Sequence, residues 1–194
     1  MGEKATLATQ RELRALRAAG QASSLLIGAS MRDASQVASL AGVDVYTMPP
    51  KVAAEYRKSP AAVLASQVDR DPPVQFANGV KAEDFNGETL WDVPDSFRHC
   101  VAELMKRDLE RLTPDELQAH FAHAGFGDFL PRWSDEQIRT AIADGKIPVF
   151  SRWRGALASR KVGLDALMNL SALMSFATDE QALDERIGKV TSDQ

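Results

Sequence analysis

The sequence contains a single cysteine, Cys100, which excludes an intramolecular disulfide and a zinc site built from several cysteines. No apolar run comes near the ~20 residues that a membrane-spanning helix requires, and residues 1–4 lack the apolar core of a secretion signal. The sequence also has no excess of basic residues. The formal net charge is −4, whereas a protein that mainly binds nucleic acid needs a basic face. These absences predict a soluble, cytoplasmic protein whose partners include neither nucleic acid nor a membrane.

Two strand-then-helix units open the sequence and are its clearest structural pattern. An apolar run at residues 25–27 precedes a helix that Asp33 or Ser35 can cap. A second run, at residues 43–48, precedes a helix that begins at Pro50. Runs without alternation suit parallel strands that are covered on both faces. The spacing therefore predicts a parallel α/β arrangement.

Two strands are too few for a stable sheet, because each would leave one edge of unpaired backbone groups. Further strands could come from the weakly patterned residues 73–80 or 146–150. Otherwise a second copy of the chain, or a different chain, has to supply them.

The rest of the sequence predicts a loop followed by helices. Residues 69–94 carry prolines and glycines without a period, which indicates a long ordered loop. Apolar residues at helical spacing predict an amphipathic helix over 97–112, and the most apolar helix is predicted over 156–176. Capping boxes mark four predicted helix starts: Thr9 with Glu12, Thr113 with Glu116, Ser134 with Gln137, and Thr178 with Gln181.

The turn at residues 28–32 is the best candidate site. It follows the carboxyl end of the first strand and precedes a helix, where α/β folds bind ligands and free helix amides attract anions. The hydroxyl of Ser30 and the forked cation of Arg32 would suit a phosphate. Serine and arginine also occupy such turns for capping and solubility, so the spacing alone leaves both interpretations open.

Three stretches carry a resemblance to a known family: LIGASMR at 26–32, QVASLAGVD at 36–44 and YTMPPKV at 46–52. They resemble the Gly-Ala-Ser-Phe-Arg-like turn, the helix ending in Leu-Ala-Gly-x-Asp and the Leu-Thr-Ile-x-Pro-like eighth strand of the transaldolase family. Met31 stands where phenylalanine is common, and Asp33 where asparagine is common. The resemblance covers residues 5–56 and extends weakly to residue 112.

The resemblance implies a fold, an activity and a site. Transaldolases are (β/α)8 barrels of the pentose phosphate pathway that transfer a dihydroxyacetone unit between sugar phosphates through a lysine Schiff base, without a cofactor. Their turn holds the substrate phosphate with a serine and an arginine that match Ser30 and Arg32. We therefore expect an α/β fold. Residues 1–112 would form a partial TIM-barrel-like segment with two clear parallel strands, and residues 113–194 a mainly helical region of unknown role.

The resemblance also implies what this chain lacks. The family's Schiff-base lysine lies on the fourth strand and its acid/base carboxylates on the first and third strands, all of which would precede residue 1. The lysines of this chain fall outside its two predicted strands: Lys4, Lys51, Lys58, Lys81, Lys106, Lys146, Lys161 and Lys189. Lys51 is the nearest to the barrel mouth, but we expect no catalytic residue here. The chain would be inactive alone, or active only when a second copy or a complementing barrel subunit completes it. The alternative is a non-catalytic remnant that binds a sugar phosphate or a protein.

The remaining candidates are weaker. His120 and His123 lie three residues apart near Asp128, but no third metal ligand is in register. We therefore expect that no metal binds here and that the histidines lie at the surface or take part in packing. His99 and Cys100 point to different helix faces, and Cys100 is expected to be buried. A basic run lies farther along the chain: Lys146, Arg152, Arg154, Arg160 and Lys161. It could contact an acidic partner or an anionic metabolite, or form a solvated helix end.

Overall fold

A computed structural model describes residues 1–58 and 65–192 of the chain. The described residues form eight α-helices, two 3₁₀-helices and two short strands. In chain order these are α1 (Gly2–Ala18), β1 (Ile27–Gly28), α2 (Ala34–Ser39), β2 (Val45–Tyr46), α3 (Pro50–Lys58), the 3₁₀-helices Ala82–Asp84 and Gly87–Leu90, α4 (Asp95–Leu104), α5 (Pro114–His123), α6 (Asp135–Asp144), α7 (Phe150–Ala158) and α8 (Leu164–Ser192). They divide into two compact units: unit 1 comprises residues 1–77 with 90–92, and unit 2 comprises residues 78–89 with the chain from residue 93 onward.

Unit 1 is built around two parallel strands, in which Ile27 lies beside Val45 and Gly28 beside Tyr46. This confirms the two predicted parallel strands, although each is only two residues long. The helices around the sheet close a core whose buried side chains are Leu7, Met31, Val37, Leu40, Val43 and Val52. The predicted helix from Pro50 is also confirmed.

One face of this sheet is exposed in the described residues. Leu25, Ile27 and Val45 are 61%, 57% and 37% exposed. Leu26, which precedes β1, and Tyr46 of β2 pack against the core from the other face. The expectation that both faces of the strands are covered is therefore wrong for residues 1–58 and 65–192.

The additional strands that the sequence left open are not found in the described residues. Residues 73–80 lie in a loop, and Phe150 is the first residue of α7. The predicted loop over residues 69–94 is confirmed, with the two 3₁₀-helices inside it. The described part of the chain is thus mainly helical with two parallel strands, and it does not form a barrel.

Two of the four predicted capping boxes mark helix starts. Thr113 and Ser134 accept hydrogen bonds from the amides three residues ahead and begin α5 and α6. Thr9 and Thr178 instead lie inside α1 and α8, where each hydroxyl donates to the carbonyl four residues back, at 2.9 Å. The helix starts predicted at these two threonines are wrong, because a threonine hydroxyl can bond within a helix as well as cap one.

Two predicted helices of unit 2 have other bounds. The amphipathic pattern predicted α4 as far as residue 112, but α4 ends at Leu104, and the carboxylate of Asp108 accepts the Glu110 amide in a turn. The single helix predicted over 156–176 is divided between α7 and α8. Arg160 there has φ +54°, and the Gly163 amide donates to the Asp128 carbonyl at 2.8 Å. A Cβ on Gly163 would lie 2.9 Å from that oxygen, so the turn requires glycine.

The core of unit 2 explains why the units do not divide at residue 112. Cys100 and Leu104 of α4 are buried with Phe121 of α5. The ring of Phe97 contacts three other phenylalanine rings at centroid distances of 5.0 to 5.8 Å. Because α4 and α5 share one core, both belong to unit 2. The division predicted at residue 112 rests on the family resemblance and stays a prediction.

Candidate functional site

The turn after β1 brings the two predicted phosphate-binding residues to one cavity. Met31 is 3% exposed and packs into the core of unit 1, whereas Ser30 and Arg32 on either side of it are exposed. Ser30 has φ +60°, a left-handed conformation that is uncommon for serine. Both residues line a cavity of about 380 Å³. The other lining residues come mainly from α1 and α2: Gly2, Glu3, Thr6, Ala29, Met31, Gln36, Ser39 and Leu40.

Two backbone amides, one in this turn and one at the start of α2, are occupied by the chain itself. The Arg32 amide donates to Oε1 of Gln36 at 2.8 Å, and the Gln36 amide donates to Oδ1 of Asp33 at 3.0 Å. Asp33 is therefore the cap of α2. The hydroxyl of Ser35 and the amide of Gln36 lower the pKa of Asp33, so its carboxylate is charged beside the turn. These two amides are thus not available to an anion, which the side chains at this cavity would hold.

The side chains that remain for a ligand have suitable chemistry. The guanidinium of Arg32 has no ion pair with any residue in 1–58 and 65–192. Because Oε1 of Gln36 already accepts from the backbone, the amide nitrogen of Gln36 is left as a donor at the cavity wall. The carboxylates of Glu3 and Asp33 lie on or beside the same cavity and oppose an anion.

Asp44 connects α1 to the segment that leads into β1. Both its oxygens accept from the guanidinium of Arg17 at 2.9 Å, and Oδ2 also accepts from the Leu26 amide at 3.0 Å. The Asp44 amide in turn donates to Oε1 of the buried Gln10 at 3.1 Å. The Arg17 and Leu26 hydrogen bonds hold the pKa of Asp44 well below its ordinary value. Asp44 thus ties α1 to the beginnings of both strands, a role that its place in the family-like stretch 36–44 did not reveal.

The lysines lie away from the strands. Lys51 is exposed in the first turn of α3, and Lys4 of α1 is bonded to the carboxylate of Asp71 and lies over the ring of Trp91. A Schiff-base lysine requires a desolvated pocket that lowers its pKa. None of the lysines in the described residues is buried, and none lies on β1 or β2.

The histidines and the cysteine take structural positions. Nε2 of His120 lies 2.9 Å from the carbonyl oxygen of Cys100, whereas His99 and His123 are exposed. The prediction that Cys100 is buried is confirmed, and burial raises the pKa of its thiol. Residues 1–58 and 65–192 contain no group of three or more histidine, cysteine, aspartate or glutamate side chains that could hold a metal ion.

The arginines of the basic run are paired within unit 2. Their guanidinium groups pair with aspartates: Arg152 with Asp144, Arg154 with Asp84 at 3.2 Å, and Arg160 with Asp128 at 3.6 Å. The charge that the sequence offered to an acidic partner is therefore largely neutralised by the chain itself.

Comparison with known proteins adds no assignment: no family model, no curated protein and no solved structure matches this chain. None of the helices in residues 1–58 and 65–192 combines the length and the apolar character that crossing a bilayer requires. A functional hypothesis therefore rests on the turn, its cavity and the sequence resemblance.

Proposed function

We propose that this chain is a transaldolase-like protein of sugar-phosphate metabolism, in which Ser30 and Arg32 bind the phosphate of the sugar. One observation carries the proposal. The guanidinium of Arg32, at the carboxyl end of β1, lines the same cavity as Ser30 and has no ion pair among the described residues. The resemblance of residues 26–32 to the transaldolase turn supplies the substrate class.

The chemistry of the turn fits a phosphate monoester. A guanidinium can donate two parallel hydrogen bonds to two phosphate oxygens, and the Ser30 hydroxyl and the Gln36 amide can each donate a further one. The two carboxylates of Glu3 and Asp33 weaken the attraction, so we expect a dissociation constant on the order of millimolar, not a tight complex.

The exposed face of the sheet supports the same proposal. Leu25, Ile27 and Val45 place apolar side chains in solvent beside a two-stranded sheet whose edges can pair with further strands. In a transaldolase-like barrel such strands would carry the Schiff-base lysine. They would come from sequence outside these 194 residues, from a second copy or from a complementing barrel subunit.

The alternative is a non-catalytic module that binds a sugar phosphate or a protein. The exposed positions of the lysines favour it for these 194 residues taken alone. Borohydride trapping of the purified chain with fructose 6-phosphate separates the two. A covalent adduct, followed by loss of that adduct in a single lysine variant, would place Schiff-base chemistry in this chain and exclude the alternative.

Calorimetry tests the phosphate site directly. The wild-type chain should bind fructose 6-phosphate and should not bind fructose under the same conditions. Arg32→Ala should abolish binding, and Arg32→Lys should weaken it because a lysine keeps the charge but loses the fork. Arg57→Ala, at an exposed arginine of α3, is the matched control and should bind as the wild type does.

Circular dichroism of each variant should equal that of the wild type, since Arg32 packs into no core. Unchanged affinity in Arg32→Ala, or equal loss in Arg57→Ala, would show that the phosphate is not held at this turn.

A further inference from the structure

The last helix carries an apolar stripe that the proposed function does not use. Five of its apolar residues are from 53 to 65% exposed: Leu173, Phe176, Leu183, Ile187 and Val190. Residues 177–190 are exposed without exception. Residues 177–190 carry the outer part of the stripe, whereas Leu173 also lines a cavity with Leu117, Trp133 and Leu170 of unit 2.

The spacing of the stripe is that of a coiled coil. In heptad notation Leu173 and Ile187 occupy a positions, and Phe176, Leu183 and Val190 occupy d positions. Glu180 fills the remaining a position. The alternating steps of three and four residues keep these side chains on one face over about five helical turns.

The opposite face of the same segment is polar, and several of its side chains form hydrogen bonds within the helix. Nε2 of Gln181 donates to Oε1 of Glu185 at 3.0 Å, and the Thr178 hydroxyl donates to the Met174 carbonyl at 2.9 Å. An exposed apolar stripe with a solvated back is typical of a helix that packs against another helix.

We propose that two copies of this chain associate through this stripe, with the two α8 helices antiparallel. When the two helices are aligned about the midpoint between Glu180 and Leu183, Leu173 faces Val190 of the second copy and Phe176 faces Ile187 of the second copy. The same alignment places Asp179, at a g position, beside Arg186 of the second copy. The dimer symmetry forms this ion pair twice.

The charges select this orientation over a parallel one. In a parallel pair, the Glu180 side chains of the two copies would share one a layer, and Asp179 would lie beside Asp184 of the second copy. Both contacts join like charges. In the antiparallel pair Glu180 meets a leucine, past which its long side chain can extend to solvent.

Sedimentation of the full chain over a range of concentrations tests the dimer. The wild type should show a reversible dimer with a dissociation constant on the order of micromolar, since five turns make a short interface. Leu183→Asp should raise that constant at least about thirtyfold, because the aspartate would enter the apolar seam twice. Thr178→Asp, on the opposite face, adds the same charge and should leave the dimer intact.

Charge exchange tests the orientation. Asp179→Arg should weaken an antiparallel dimer about threefold, and so should Arg186→Asp, whereas the double exchange should restore the wild-type constant. In a parallel dimer Asp179→Arg would instead tighten association. A wild type that stays monomeric well above micromolar concentration, an equal effect of Leu183→Asp and Thr178→Asp, or a tighter Asp179→Arg dimer would each overturn the proposal.

Discussion

The two compact units are stabilised by different kinds of contact. In unit 1 a small sheet is held by long-range polar bonds, with Asp44 accepting from Arg17 and from the amide of Leu26. In unit 2 helices pack through aromatic rings such as Phe97 and Phe121. Unit 1 also leaves an apolar strand face exposed. Unit 2 buries the apolar faces of α4 and α5 within itself.

This difference in contacts indicates which interactions stabilise each unit. Unit 2 depends on apolar burial, which single truncations remove in proportion to the volume deleted. Unit 1 also has an apolar core, but its strands are tied to α1 through the carboxylate of Asp44, whose charge acid can remove. The two units should therefore respond differently to core truncation and to acid.

The largest effect is expected from truncating the aromatic core of unit 2. Phe121→Ala should destabilise unit 2 by about 3–5 kcal/mol, the usual cost of removing a buried phenylalanine. Urea unfolding followed by the fluorescence of Trp133 and Trp153 measures it, in a Trp91→Phe background that leaves tryptophan only in unit 2. Leu109→Ala, at an exposed leucine, should leave the transition unchanged. A wild-type midpoint in Phe121→Ala would show that these rings do not form the core.

A smaller effect, confined to unit 1, is expected from Asp44→Asn. The asparagine keeps the volume but loses the ion pair with Arg17, so the tyrosine signal of unit 1, from Tyr46 and Tyr56, should report a lower urea midpoint at neutral pH. The tryptophan signal of unit 2 should stay as in the wild type. A shift in the unit 2 signal alone would contradict this assignment of the contacts.

Acid should remove the same contribution from the wild type. Because the folded-state pKa of Asp44 is depressed, its stabilisation is complete above the ordinary value of 3.8 and is lost as the pH falls below it. The unit 1 midpoint of the wild type should therefore drop toward that of Asp44→Asn in this range. The difference between the two proteins should shrink with acid. A constant difference would mean that the pKa of Asp44 is the same in the folded and unfolded states.

The sequence predicted a helix start correctly where neighbouring residues were enough to determine it. Thr113 with Pro114 at the first helical position, and Ser134 three residues after Pro131, were correct helix starts, and proline excludes a helix that continues through the cap. Thr9 and Thr178 carry the same box without a nearby proline, and both lie inside helices. The box alone could not distinguish them, because the hydroxyl bonds in either setting.

A matched pair of threonine variants would measure this difference. Thr113→Ala should cost about 1 kcal/mol of unit 2 stability, since it removes an N-cap. Thr178→Ala should cost nothing or stabilise α8 slightly, because alanine has the higher helix propensity. Urea unfolding of both variants at concentrations that favour the monomer provides the comparison. Equal losses would mean that Thr178 ends or begins a helix after all.

The candidate site shows the limits of local patterns more clearly. The turn position of Ser30 and Arg32 could be expected from the strand before it and the helix after it. The occupied amides could not be predicted from the sequence, because they depend on the side chain of Gln36, which accepts a hydrogen bond from the Arg32 amide. The sequence also gave no sign that Glu3, near the beginning of α1, would line the cavity, since that contact spans the whole first helix and strand.

Glu3 therefore offers the smallest and most specific test of the site. Glu3→Gln removes a negative charge from the cavity wall without removing its bulk, and should tighten fructose 6-phosphate binding about twofold at low salt. Glu55→Gln, at an exposed glutamate of α3, makes the same change in net charge away from the cavity and should have no effect. Added salt should reduce the gain, because it screens the repulsion that the variant relieves. Equal tightening by both variants would assign the effect to the net charge of unit 1. The result would then give no support to a phosphate site at the turn beside Arg32.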